Sequence, residues 1–129
     1  MEWHNREKTI QLVTLMDCHW NWHHFADAIQ QQVTMAQTVE HPLHVIFDFS
    51  VCPRFPQRGL MTRLPELMTT GAGNEELIIL VRANRIFITM IQTVGKIFNL
   101  KKTLSRFHFV DSMEQAYMEI KAFESGHPL

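Results

Sequence analysis

The chain has 129 residues, a formal net charge of −1, 46% hydrophobic and 19% charged residues, the size and balance of a domain that buries a core without disulfides or metals. The near-zero charge argues against the clustered basic face of a nucleic-acid binder, and no apolar run approaches the ~20 residues that span a bilayer. The one dense basic stretch, Lys101-Lys102 with Arg106 nearby, reads as a solvated helix end.

Trp3 and its neighbours suit a short strand, residues 5–7 supply turn chemistry, and residues 9–15 alternate as a second strand, so an opening hairpin is expected. Asn21 can cap a first helix, with Trp20 stapled on Phe25. Trp22, Phe25, Ala26, Ile29, Val33 and Ala36 recur at helical spacing as its buried face. Gln30, Gln31, Gln32 and Gln37 are expected on the wet side, and His41-Pro42 closes the segment because the residue before proline avoids helical geometry. Residues 43–49 and 76–81 are nearly unbroken apolar runs, the pattern of strands covered on both faces. Between them a loop at 50–58 leads to a helix at 59–70, lined by Leu60, Leu64, Leu67 and Met68, with Pro65 inside it. Residues 71–74 make the turn into the next strand. Asn84 caps a third helix with the stripe Ile86, Phe87, Met90, Ile91, Val94, Ile97 and Phe98. Residues 106–110 form a last strand. Ser112-Met113-Glu114-Gln115 is a capping box for a closing helix that buries Met113, Ala116, Tyr117, Ile120 and Phe123.

The order β-β-α-β-α-β-α-β-α predicts an α/β fold: a five-stranded, mostly parallel sheet flanked by four helices, with the hairpin as an antiparallel edge. Residues 1–129 read as one domain, without repeat or linker. Cys18 and Cys52 stand far apart, and residues 1–8 lack the apolar core of a signal peptide, so reduced thiols in a cytoplasmic setting are expected.

Three stretches carry a resemblance. They are Trp20-Asn21-Trp22-His23-His24-Phe25 at the start of the first helix, Val45-Ile46-Phe47-Asp48-Phe49-Ser50 leading to Gly59-Leu60, and Phe109-Val110-Asp111-Ser112-Met113-Glu114-Gln115-Ala116. In this order they resemble the STAS superfamily and, within it, the short SpoIIAA-like proteins. The resemblance implies a stand-alone module that works through protein partners. Anti-sigma factor antagonists of that fold carry Asp-Ser-Ser-Gly-Leu after the central strand, with a serine that is phosphorylated. In gapless register from Asp48, this chain reads Pro56-Gln57-Arg58-Gly59-Leu60. Neither Gln57 nor Arg58 accepts a phosphoryl group, so a phosphoserine switch is not expected.

Asp48 and Ser50 close the central strand at its carboxyl end, where open α/β sheets bind ligands, and Arg54, Phe55, Gln57 and Arg58 follow on the loop. These six are the candidate ligand- or partner-binding residues. Two arginines can grip an anion at a helix N-terminus, and arginine and aromatic side chains anchor interfaces. Asp48 also suits a plain turn or cap carboxylate. No catalytic residue is expected, since neither Ser50 nor Cys52 lies in a Gly-x-Ser-x-Gly or Cys-x-x-Cys frame. His19, His23 and His24 cluster, but no third ligand accompanies them, so neither a metal nor a cofactor is expected. Gly71-Ala72-Gly73 follows a helix and precedes a strand, the reverse of a phosphate-binding loop.

The expected function is a non-enzymatic regulatory or protein-interaction module, acting on a protein partner or by self-association. The alternative is a small carrier or sensor of an apolar, lipid-like or anionic ligand. The broad stripe at 86–98 and the eight methionines leave apolar surface for either. The fold that the resemblance implies is itself similar to that of the CRAL–TRIO lipid carriers, an analogy of fold alone. An enzyme using Cys52 or the histidines comes third.

Overall fold

The apolar runs become strands of one sheet. The structure, a computed structural model, describes residues 2–3, 9–14, 22–51 and 60–125. Its elements are β1 (Glu2–Trp3), β2 (Ile10–Thr14), α1 (Trp22–Ala36), β3 (Leu43–Asp48), α2 (Leu60–Thr69), β4 (Glu75–Val81), α3 (Arg85–Ile97), α4 (Lys101–Ser105), β5 (Phe107–Val110) and α5 (Met113–Glu124). Strands β2 to β5 are parallel and lie side by side in chain order, with Leu12 opposite Ile46, Ile46 opposite Ile79 and Ile79 opposite His108. Outside these four, β1 is a two-residue antiparallel pairing on β2.

Sequential order decides where the helices go. Right-handed crossovers that always step to the same side place every crossover helix on one face. Accordingly Trp22, Phe25 and Ile29 of α1, Leu64 and Met68 of α2, and Phe87, Ile91 and Val94 of α3 share a core with Val45, Phe47 and Leu80. The opposite face, Ile46, Leu77, Ile79, Val81 and Val110, packs on Ala116 and Ile120 of α5. Strand β3 is therefore buried on both sides, as its unbroken apolar run predicts.

Local capping follows the sequence closely. Asn84 accepts from the Ile86 N–H at 2.8 Å. Ser112 accepts from Gln115 N–H at 3.1 Å, while the Gln115 side chain reaches back to Asp111 N–H at 2.8 Å. Asn99, at φ 57°, ends α3 in the left-handed region, and Leu100 N–H closes onto Gly95 O at 2.7 Å.

Several expectations need correction. Five helices, not four, occur among the described residues, because the chain coils again immediately after Asn99 to make α4. Gln32 is 4% exposed and belongs to the buried face of α1, whereas Ala26 is only half-buried. On α3 the stripe is wider than its core: Ile86 and Ile97 are 57% and 61% exposed, and Phe98 also faces out. Phe123 of α5 is exposed as well. The cap at Asn21 and its Trp20 staple lie outside the described residues. No helix among the described residues is long and apolar enough to cross a membrane.

Candidate functional site

A cavity of about 230 Å³ lies between the sheet and helices α1, α2 and α3. Its floor is the inner face of β3, β4 and β5, with Phe47, Ile78, Leu80 and Phe107. Its walls are Phe25 and Ile29 of α1, Leu64, Leu67 and Met68 of α2, and Phe87 and Ile91 of α3. Edge-on contacts lock the aromatic end: Phe25 stands 5.9 Å from Phe47 and 6.5 Å from Phe87, centroid to centroid. The other end reaches the amino edge of the sheet, where Thr69, Thr70, Gly71, Gly73 and Arg106 are exposed.

Two buried polar side chains, Gln32 and Glu75, line that amino end, and a third, Gln11, backs them. Gln32 Nε2 donates to Glu75 Oε2 at 2.9 Å and to Gln11 Oε1 at 3.0 Å, and Gln11 Nε2 donates to the Gln32 carbonyl at 3.1 Å. The carboxylate of Glu75 also accepts from Ala72 N–H on both oxygens and from Gly73 N–H on Oε1, at 2.9 to 3.0 Å. Burial alone would raise the Glu75 pKa, but these donors outweigh it and hold the carboxyl below its usual range. The turn at 71–73 thus wraps its N–H groups around the chain's own anion. Gly73 makes this possible with φ 96°, and a Cβ at Gly71 would come within 3.2 Å of Glu75 Oε1.

Of the six candidate residues, Arg54, Phe55, Gln57 and Arg58 lie outside the described residues, as do His19 and Cys52. Asp48 and Ser50 come together as a turn: Asp48 Oδ1 accepts from Ser50 N–H at 2.9 Å and from the Ser50 hydroxyl. Burial, and then the negative charge of Asp48, push the Tyr117 phenol up on the α5 face. The crevice invoked for the carboxyl end arises where strand order reverses, and β2 to β5 run without reversal. His23 and His24 are both exposed, and His23 pairs with Asp27 one turn on at 3.5 Å. No group of three potential metal ligands occurs among the described residues.

On the other face His44 is 2% exposed. Its Nε2 faces Glu124 at 3.4 Å, its ring meets Phe123 edge-on at 5.4 Å, and Nδ1 has no hydrogen-bond partner among the described residues. Burial lowers its pKa against the opposing pull of Glu124 and Glu76.

Sequence reasoning missed Gln11, Gln32, Glu75 and Arg106. Gln32 was readable, because it falls three residues after Ile29 and four before Ala36 on the buried stripe. Gln11 and Arg106 carry no local signal. Comparison with protein-family models, curated proteins and solved structures returns no match.

Proposed function

We propose that the chain is a non-catalytic binding module of SpoIIAA-like type that takes a small, mostly apolar ligand into the cavity beneath α1, α2 and α3. The observation that carries this reading is the cavity itself. Close-packed interiors keep few voids larger than a water molecule, yet about 230 Å³ is left among four phenylalanines and several aliphatic side chains. An apolar cavity of ~150 Å³ holds benzene, so this volume suits roughly nine heavy atoms. Aromatic walls with a few fixed polar groups are the usual make-up of small-molecule sites. The hydroxyls of Thr69 and Thr70 at the rim bond to helix carbonyls and the Glu75 carboxylate is fully hydrogen-bonded, which favours holding over turning over. A cytoplasmic setting with Cys18 and Cys52 reduced goes with the reading.

Native mass spectrometry of freshly purified protein tests it, followed by thermal shift with single-chain apolar probes of eight carbons. A retained small-molecule mass, or a probe-dependent rise in melting temperature that Ile91→Trp removes by filling the cavity, is the expected result. If no probe shifts the parent protein, the reading is wrong.

The outward Ile86 and Ile97 of α3, with Phe98 just beyond it, favour a second reading, a protein-interaction or self-association module. Under the cavity reading, replacing Arg54 and Arg58 together with Ala leaves probe binding unchanged. Under the interaction reading, replacing Ile86 and Ile97 together with Ser abolishes co-purification of a partner.

A further inference from the structure

We infer that the ligand held in this cavity is an anionic amphiphile, a free monocarboxylate with a short apolar tail, whose head group is bound by Arg106 at the amino edge of the sheet. This rests on the cavity reading and adds the chemistry of the head group. The polar capacity facing the cavity is lopsided. Every acceptor position of the Glu75 carboxylate is already taken, by Ala72, Gly73 and Gln32, so that buried anion offers little to a cationic or hydroxylic ligand. Rim hydroxyls of Thr69 and Thr70 spend their protons on the carbonyls of Pro65 and Glu66. What remains is donor capacity. Arg106 lines the cavity, is exposed, and forms no ion pair among the described residues. Its guanidinium keeps five donors in a planar fork that matches a carboxylate. Thr103, one turn earlier on α4, lines the same side.

Glu75 and Glu76 both border a second hollow that Arg106 also lines, and neither forms an ion pair with the guanidinium among the described residues. The phenylalanine-walled interior then takes the tail, and the charge stays at the rim, where it keeps part of its hydration. Placed inside instead, the charge would lose its hydration with no opposite charge to replace it.

Octanoate, octanol and octylamine share one tail and differ only in the head. Titration calorimetry on the full chain should rank octanoate first, by roughly tenfold over octanol, the scale of a charge-assisted hydrogen bond, with octylamine last. R106Q should erase the advantage of octanoate over octanol and leave the melting temperature nearly unchanged, because Arg106 is exposed. Equal binding of octanoate and octanol to the parent, or an unaltered preference in R106Q, overturns the head-group assignment while the cavity reading stands. Preference for octylamine overturns it in favour of Glu75 as counter-ion. If none of the three binds, both fall together. Vesicles of anionic phospholipid should not co-sediment the protein, and co-sedimentation would replace the free ligand with a membrane one.

Discussion

Glu75 is the side chain on which most of the amino edge depends. It ties the turn before β4 to α1 through Gln32 and, one step further, to β2 through Gln11. Replacing Gln32 with Leu keeps the volume but strips Gln11 Oε1 of its donor and leaves Glu75 Oε2 with Ala72 N–H alone. A loss of ~1–3 kcal/mol in urea unfolding is expected, and an unchanged midpoint would mean the network contributes nothing net. Two titrations then separate by pH. The folded pKa of His44 is lowered from 6.5, so the unfolded chain takes up a proton first. Stability is full above 6.5 and falls as pH drops from there towards the folded value. His44→Leu should flatten this part of the stability–pH profile, and a profile identical to the parent would show that burial of His44 carries no linkage. Glu75, also lowered but from 4.5, gives stability that is present above 4.5 and disappears only on further acidification through its folded value.

Along α3, one position limits how closely the next element can approach. Gly95 is buried, and a Cβ there would overlap the Leu104 side chain of α4. Gly95→Ala should therefore destabilise by ~1–3 kcal/mol despite the better helix propensity of alanine. Adding Leu104→Ala should recover part of that loss. Additive effects in the double-mutant cycle would refute the contact. The sequence announced α3 and α5 clearly, because Asn84 and Ser112-Gln115 act on N–H groups within four residues. It did not announce α4, whose five residues are too few to display a helical period. Nor could the stripe at 86–98 reveal which of its members lack cover, since Ile86 and Ile91 look alike in sequence but only Ile91 meets the sheet. The cavity was illegible for a similar reason: its lining comes from four helices and three strands, and no short window contains them.

At the scale of the molecule the sheet has two unequal sides, α1 to α4 over one and α5 over the other. The α/β alternation and the parallel pairing were readable from periodicity, and strand order was not. At the carboxyl edge Asp48 closes a turn and the other expected residues but Ser50 lie outside the described ones, while at the amino edge Glu75 and Arg106 line the cavity.

Chain-ordered parallel pairing also governs how the molecule is made. Ile10 faces His44, Val45 faces Ile78 and Ile78 faces Phe107, so each ladder joins segments separated by roughly thirty residues, and contact order is high. No hairpin among β2 to β5 offers a cheap first step. Helices have to form and collapse around incomplete ladders before the strands are rewarded, as loop closure precedes the contacts it permits. Refolding monitored by stopped-flow Trp fluorescence should accordingly take milliseconds to seconds. Complete recovery within microseconds would mean that the strands find one another by some more local route.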